Sequence, residues 1–330
     1  MYKIKKDNIP KFIDILLKEY EVIAPTKVHG DAVYAVLSSG DEFIDEYTLA
    51  SPKEFVYPQI EKLFDYKFEK PKFTVHYELD ATKRIIMGIK PCDLRGIERL
   101  DVIFENDPYY LSRRKNTVMI AFACAKPCEH GFCKDLGGPS LDKGYDLQFT
   151  DIGEYYFIQV GSKRGSAIID MTKDLIEKAT DDDEKTRESV IEKTIKQLPD
   201  IKVKGIEKVL EWDMPVVEEY ASKCISCGGC NFVCPSCFCY NVADIPVDGA
   251  GWRQRDWDSC LLPGFTRMAS GENPREEAKS RMRQRLFHKF KYFYEVYLEY
   301  QCTGCGRCYQ VCPVKIDLRD FIKRVWEGGK

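Results

Sequence analysis

Eight cysteines near the C-terminal end of the chain form two copies of the same string. One copy runs from Cys224 to Pro235 and the other from Cys302 to Pro313, and both have the form C-x-x-C-x-x-C-x-x-x-C-P. Four thiols at this spacing, followed by proline, are the ligand pattern of proteins that bind a pair of [4Fe-4S] clusters. The chain is therefore predicted to bind two such clusters and to fold so that the two strings meet.

The fourth cysteine of each string is expected to bind the cluster of the other string. Three thiols spaced by two residues surround one corner of a cubane, and the fourth is directed away from that corner. The predicted ligands of cluster I are Cys224, Cys227, Cys230 and Cys312, and those of cluster II are Cys302, Cys305, Cys308 and Cys234. Glycines between the ligands, such as Gly228 and Gly304, allow the backbone to turn tightly around an inorganic core.

Two other uses of these eight cysteines fit the sequence less well. Zinc sites usually have two short C-x-x-C knuckles separated by a longer spacer. Disulfides need an oxidising compartment, whereas the first residues, MYKIKKDNIPKFIDILLKEY, lack the uninterrupted apolar core of a secretory signal. The chain has 15 cysteines, a large excess for an intracellular protein. Such an excess points to metal binding or catalysis.

Composition excludes some classes of partner. The 330 residues are 44% hydrophobic and 31% charged, which is ordinary for a folded chain of two or three domains. No apolar run approaches the roughly 20 residues that cross a bilayer. The formal net charge of -3 gives no general attraction to nucleic acid. We therefore expect a cytoplasmic protein with neither a membrane nor a nucleic acid as its partner.

The order of patterned segments predicts two domains. An α/β or α+β N-terminal domain, residues 1–165, precedes an all-α helical ferredoxin-like domain, residues 166–330, that binds the two [4Fe-4S] clusters. A loop-rich insert is expected at about 240–273. Strands are indicated at EVIAPTKV, RIIMGIK and TVMIAFACA, and a hairpin at LQFTDIGEYYFIQVG. The wide separation of the two cysteine strings favours the helical ferredoxin type, in which helices bring them together.

Two helices are predicted with specific boundaries. The segment SPKE at residues 51–54 has the form of a capping box, which predicts a helix that runs to about Phe64. A long helix is expected from about 274 to 300, just before the second string. We expect the basic face of this helix to be solvated or to dock on an acidic partner.

Four further cysteines in the N-terminal half suggest a third metal site. They are Cys92, Cys124, Cys128 and Cys133, and they follow the strands RIIMGIK and TVMIAFACA. Thiols at the ends of neighbouring parallel strands converge at one edge of the sheet, where open α/β domains bind their ligands. The spacing is not a standard ferredoxin string. A third Fe-S cluster, either [4Fe-4S] or [2Fe-2S], is therefore predicted, with a zinc site and unliganded buried thiols as the alternatives.

Three cysteines remain outside these sets. Cys237 and Cys239 follow the first string directly, and Cys260 lies within the insert. They can be packing residues beneath a cluster or a reactive or additional ligand set. We do not count them among the metal ligands.

No nucleotide-binding or hydrolase signature accompanies the cysteines. The chain has no G-x-G-x-x-G after a strand, no G-x-x-x-x-G-K-[ST], no G-x-S-x-G and no H-E-x-x-H. No catalytic residue is assigned, which favours a non-catalytic electron-transfer subunit over a self-contained enzyme. The alternative is a reductase that performs chemistry at its own cluster, with one of the three remaining cysteines near an open iron.

Several strings beyond the clusters carry a family resemblance. SPKEFVYPQ, KPCDLRGIERLD, NFVCPSCFCYNV, RDWDSC and NPREEAKSRMRQRLFHKF together resemble the family of sulfhydrogenase beta subunits and anaerobic sulfite reductase A subunits. The resemblance implies a cytoplasmic iron-sulfur subunit of a hetero-oligomeric oxidoreductase. It also implies two partners: a flavin- and NAD(P)-binding subunit, and a terminal catalytic subunit of the hydrogenase, sulfite or sulfur reductase, or heterodisulfide-reductase type.

Overall fold

The computed structural model describes residues 1–328. Its strands are β1 (Tyr2–Lys5), β2 (Glu21–Val28), β3 (Asp31–Val36), β4 (Ile60–Glu69), β5 (Lys72–His76), β6 (Arg84–Ile89), β7 (Thr117–Phe122), β8 (Leu147–Asp151), β9 (Tyr155–Val160), β10 (Ile176–Lys178), β11 (Tyr240–Val247) and β12 (Ala250–Trp257). Its helices are α1 (Ile9–Leu16), α2 (Pro91–Ile103), α3 (Pro108–Lys115), α4 (Lys163–Met171), α5 (Asp181–Gln197), α6 (Ile206–Val209), α7 (Pro215–Ser222), α8 (Gly229–Phe232), α9 (Ala278–Phe287), α10 (Phe293–Tyr297), α11 (Arg307–Gln310) and α12 (Leu318–Trp326).

The larger of two sheets has eight strands in the order β10-β1-β9-β8-β7-β6-β2-β3. Its centre, β2, β6, β7 and β8, is parallel, and the strands on either side pair antiparallel. All six residues of β7 are buried, as expected for a strand that is covered on both faces. The strands predicted at EVIAPTKV, RIIMGIK and TVMIAFACA and the hairpin at LQFTDIGEYYFIQVG are confirmed as β2, β6, β7 and β8–β9.

Helices cover both faces of the large sheet. On one face Phe12 of α1 and Ile168 of α4 pack in the same core as Ile120 of β7. On the other face Leu94 of α2 packs in a core with Met119, the neighbour of Ile120 in the strand. Successive residues of β7 point to opposite faces, as in any strand. The carboxyl ends of β6 and β7 are therefore held rigidly, and the N-terminal cysteines follow these ends.

The second sheet joins distant parts of the chain. It is antiparallel, in the order β11-β12-β4-β5. The β11–β12 hairpin lies in the segment that was expected to be a loop-rich insert, and it pairs with β4 from the N-terminal half. The buried Glu61 of β4 accepts hydrogen bonds from Arg113 and Arg255. The two arginines compensate the charge of the buried carboxylate, and loss of either would leave buried charge unpaired.

Two expectations about secondary structure are wrong. The helix predicted to reach Phe64 is a single 3-10 turn, Pro52–Phe55, followed by β4. Pro58 lies between them, and a proline removes a backbone donor that a continuing helix needs. The region 166–330 is also not all-α, because it contributes β10 to the large sheet and β11 and β12 to the small one. The chain is a mixed α/β protein.

A third core lies around the cysteine strings. Residues of α6, α7, α9 and α12 pack there with Cys302 and Cys260, and Phe132 from the N-terminal half joins them. The long helix predicted before the second string is present as α9 and α10, with a π-helical turn between them, His288–Tyr292. Among residues 1–328, no helix combines the length and apolar character that crossing a membrane requires.

Candidate metal centres

The two cysteine strings have the same local fold. In each one, a glycine in the left-handed region follows the second cysteine, Gly228 and Gly306, both at φ 76°. A one-turn helix then carries the third cysteine, α8 in the first string and α11 in the second. The two short helices pack against each other. The sequence repeat is therefore also a structural repeat, and its two copies are in contact.

Both strings also make the same hydrogen bond to sulfur. Ser226 N donates to Cys224 Sγ at 3.4 Å, and Gly304 N donates to Cys302 Sγ at 3.4 Å. In each case the donor is two residues beyond the first cysteine of the string. Amide donors of this kind stabilise charge on sulfur and are one of the features that set cluster potentials.

One pocket collects thiols from both strings. It is lined by Cys224, Cys227, Cys230, Cys308 and Cys312. The last of these is the fourth cysteine of the second string, so the four predicted ligands of cluster I lie around one space. Burial raises the pKa of Cys224 and of Cys230. These thiols stay protonated until a metal ion displaces the proton.

Cys234, the fourth cysteine of the first string, lies against the start of the second string. Lys289 connects the two: its Nζ donates to Cys234 Sγ at 3.2 Å, and its carbonyl accepts from Cys302 N at 3.4 Å. Ser236 and Gln301 connect them again, since Ser236 Oγ donates to the Gln301 carbonyl at 2.6 Å and Gln301 Nε2 donates to the Ser236 carbonyl at 3.0 Å. The predicted ligand swap of cluster II therefore has a matching backbone arrangement.

The four N-terminal cysteines also surround one pocket. Its lining includes Cys92, Cys124, Cys128 and Cys133, together with Gly304 and Cys305 from the second string. Cys92 is the second residue of α2, which begins shortly after β6, and Cys124 lies just beyond β7, so both lie at the carboxyl ends of neighbouring parallel strands. Burial raises the pKa of Cys124 and of Cys133 to about 11.

The C-terminal string closes the N-terminal pocket. Phe132 N donates to the Gly304 carbonyl at 2.7 Å. Gly304 has φ 70°, and a Cβ there would lie 2.7 Å from Cys133 Cα. No side chain other than hydrogen fits at this contact, because both the conformation and the space exclude it.

Three buried cations lie close to the first string. Lys289 donates to Cys234 Sγ, Arg285 to the Cys230 carbonyl, and Lys53 to the Cys237 carbonyl just beyond the string. Arg285, Lys289 and Lys53 are each no more than 3% exposed. None of the ion pairs found in residues 1–328 joins any of them to a carboxylate. A buried cation without a counter-charge is strongly unfavourable. A cluster held by four thiolates carries net negative charge, so the residues present fit [4Fe-4S] clusters at these positions.

A fourth buried cation connects the second string to the N-terminal site. Arg307, between Cys305 and Cys308 in sequence, donates to both carboxylate oxygens of Asp93 at 2.5 and 2.9 Å, and both side chains are fully buried. Asp93 follows Cys92 directly. The bidentate pair fixes the distance between the two cysteine groups.

The burial of these cations was not expected from the sequence. The basic helix before the second string was expected to be solvated or docked on an acidic partner, yet Arg281, Arg285 and Lys289 of this stretch are buried. Their spacing of four residues, one helical turn, places them on one face, and this periodicity was the available signal. Elsewhere on the same stretch Arg283 pairs with Glu218. The expectation of a solvated or docked basic face was therefore wrong for the face that carries these three residues.

Within the part of the chain that the structure describes, no group of three or more His, Cys, Asp or Glu side chains could hold a single metal ion. Cys237, Cys239 and Cys260 lie close to the two strings. The interaction with the Cys234 thiol raises the pKa of Cys237, and the interaction with the Cys260 thiol raises the pKa of Cys239.

Comparison with known families agrees with this geometry. Residues 223–316, which contain both strings, match the family described as a 4Fe-4S dicluster domain. The fold and the thiol groups thus define an iron-sulfur protein of the electron-transfer type.

The whole chain has a curated relative. This chain is 30% identical to the sulfhydrogenase 2 subunit beta of Pyrococcus furiosus over 336 residues. The match covers 99% of this chain and 98% of that protein. The chain belongs to the family of sulfhydrogenase beta subunits. No solved structure matches it.

Proposed function

We propose that this chain is the iron-sulfur subunit of a cytoplasmic multisubunit oxidoreductase and that it carries three clusters. Cluster I is held by Cys224, Cys227, Cys230 and Cys312, cluster II by Cys302, Cys305, Cys308 and Cys234, and the third by Cys92, Cys124, Cys128 and Cys133. The clusters supply one-electron transfer. The protein supplies the thiols, the amide donors and the buried cations around them.

The observation that carries the proposal is that cysteines assigned to one cluster also line the pocket of a neighbouring cluster. Cys308, a ligand of cluster II in this scheme, lines the pocket of cluster I. Cys305, another ligand of cluster II, lines the N-terminal pocket. Cluster II therefore lies between the other two, and the order of the relay is N-terminal cluster, cluster II, cluster I.

Each end of this relay approaches the surface. At the cluster I end Cys227 is exposed, and so is its neighbour Ile225, at 59%. At the N-terminal end Cys124 and Cys128 line a surface depression together with Lys126. We propose that one end faces a flavin- and NAD(P)-binding subunit and that the other faces a terminal catalytic subunit.

The nature of the terminal subunit is the finer part of the proposal. The name of the Pyrococcus furiosus relative, a sulfhydrogenase beta subunit, supports a hetero-oligomer with a hydrogenase. A sulfite or sulfur reductase or a heterodisulfide-reductase-type subunit is the other form of the same proposal. In every form the chain itself has no dinucleotide-binding turn with which to accept a hydride.

The test is purification under strictly anaerobic conditions, followed by iron analysis and pyridine nucleotide assays. We expect about 12 irons per chain for three [4Fe-4S] clusters, with about eight from the two strings alone. We expect no oxidation of NADH or NADPH until a flavin subunit is added. Zinc in place of iron would refute the central claim. Turnover of a pyridine nucleotide by the flavin-free chain would show that it has its own active site.

A further inference from the structure

Cys239 and Cys260 lie at the two ends of the β11–β12 hairpin, at its base. Cys239 directly precedes β11 and Cys260 lies just beyond the end of β12. The backbone holds the two ends together, since Asp258 N donates to the Cys239 carbonyl at 2.9 Å. Cys260 is buried and Cys239 is half-buried. Neither residue belongs to the three ligand sets proposed above.

A single buried side chain connects this pair to a cluster ligand. Asn231 Nδ2 donates to Cys260 Sγ at 3.2 Å, and its Oδ1 accepts from Arg285 Nε at 2.7 Å. The same Oδ1 is 3.9 Å from the sulfur of Cys230, the residue before it in the chain. Asn231 is only 1% exposed. The amide therefore contacts both the sulfur of Cys260 and the sulfur of a proposed ligand of cluster I.

The electrostatics around the pair support an ionised sulfur. The hydrogen bond from Cys239 lowers the pKa of Cys260 to about 6, helped by the hydrogen bond from Asn231 and the positive charges of Arg285 and Lys289. The same thiol-thiol hydrogen bond raises the pKa of Cys239. One thiolate stabilised by a neighbouring thiol is the arrangement of redox-active cysteine pairs.

We propose that Cys239 and Cys260 are a redox-active dithiol that exchanges two electrons with the cluster relay. Oxidation forms the bond between the two sulfurs, releases the proton of the remaining thiol and passes two electrons, one at a time, to two oxidised clusters. Reduction takes one electron from each of two reduced clusters and one proton, and it restores the thiol and the thiolate. This inference rests on the proposed function, because the clusters are both the oxidant and the reductant. The relay then contains a two-electron couple next to its one-electron carriers.

The test uses the full chain with its clusters, purified anaerobically and poised with redox mediators at oxidising or reducing potentials. Each sample is denatured in acid, alkylated and mapped by peptide mass spectrometry. We expect a Cys239–Cys260 cross-linked peptide at oxidising potentials and two alkylated thiols at reducing potentials. This measurement needs no variant, so it stays informative if a substitution at the buried Cys260 prevents folding.

A reductive titration gives the matching electron count. We expect the wild-type chain to take up two electrons more than Cys239→Ser and Cys260→Ser chains of equal iron content. The control is Cys237→Ser, which also removes a cysteine outside the ligand sets but leaves the pair intact, and it is expected to keep the extra uptake.

Three results would overturn the inference while the relay stands: alkylation of both thiols at every potential, a Cys234–Cys237 link instead, or equal electron uptake by wild type and the two pair variants. A wild-type chain that binds no iron would refute the proposed function, and the inference would fail with it.

Discussion

The two C-terminal strings and the N-terminal cysteine set reach a similar result by different routes. Each string forms its site from local features: a left-handed glycine, a one-turn helix and an amide two residues from the first sulfur. The N-terminal set instead lies at the ends of two parallel strands and in a loop, and Gly304 and Cys305 of the second string line one side of its pocket. Each string positions three thiols by local structure and takes only its fourth from the other string in the proposed scheme, whereas the N-terminal set depends on strand ends, a loop and a distant part of the chain.

The two kinds of site therefore depend on the rest of the molecule to different degrees. The strings need each other, because each supplies its fourth thiol to the other cluster in the proposed scheme. The N-terminal set needs the second string, although none of its four thiols comes from that string. Damage to the second string is expected to reach all three sites, and damage to the N-terminal set is expected to stay local.

The largest expected effect comes from replacing the fourth cysteine of either string by alanine. Cys234→Ala should remove the cluster held by the second string and leave the cluster nearest its own sequence comparatively intact. Cys312→Ala is the matched control and should do the reverse. Each variant should lose about four irons, the content of one [4Fe-4S] cluster, as measured by iron analysis and electron paramagnetic resonance. Loss of the cluster nearest in sequence in either variant would contradict the swap.

The next effect tests the N-terminal set itself. Replacement of Cys124 and Cys133 together by alanine should lower iron by about one cluster and leave the two C-terminal signals unchanged. The full chain is required, because Thr194, Leu198 and Gly304, which lie outside the N-terminal half, also line the pocket. If iron content and all paramagnetic signals stayed as in wild type, these thiols would be structural and the chain would hold two clusters.

A smaller effect tests the role of Gly304, which lines the N-terminal pocket, separately from the role of the four thiols. Gly304→Ala changes no thiol, but its new Cβ would meet the Cys133 backbone at 2.7 Å. Gly138→Ala is the control, since Gly138 has φ 74° and no atom within 4 Å of an added Cβ. Both should lose about 1–2 kcal/mol from the left-handed conformation, and Gly304→Ala should lose more and release iron from the N-terminal site. Denaturant unfolding of the anaerobic protein measures the difference, and equal losses would show that the contact of Gly304 with the pocket is dispensable.

The smallest effect concerns the potential of cluster II. A cation beside a cluster stabilises the reduced form, which carries more negative charge, so Lys289→Gln should lower the reduction potential. We expect a shift of about 60 mV, which is a tenfold change for a one-electron couple. Lys291→Gln is the control, since Lys291 Nζ donates to the Leu210 carbonyl instead. A redox titration should show the shift at cluster II and none at the N-terminal site; an equal shift at both would contradict the assigned position of Lys289.

The sequence allowed the prediction of features whose determinants are local. The two strings are spaced for their ligands, and the strands before Cys92 and Cys124 could be recognised from their apolar runs. The small sheet could not be predicted in this way, because β4 pairs with β12 from a distant part of the chain. In this sheet Glu61 is buried between two arginines, whereas an isolated glutamate in a sequence is usually a solvated residue.

The burial of charged side chains was the second feature that the sequence did not predict. Arg285 and Lys289 lie in a stretch that is rich in both signs of charge, which normally indicates a solvated helix. In the structure they face the thiols, where the missing counter-charge is that of the clusters. A sequence does not display the charge of a bound inorganic group, so this face of the helix could not be distinguished from an exposed one.

The contact of Gly304 with the N-terminal pocket has a consequence for biosynthesis. Chains fold from the N-terminus while they are being made, and the ribosome produces the four N-terminal cysteines long before Gly304. Until then the nascent chain presents four thiols beside an open sheet edge, and β4 lacks its partner β12. In the proposed scheme, iron therefore enters the N-terminal site only after the second string has been made, and the four thiols must stay reduced and free of other metals until then.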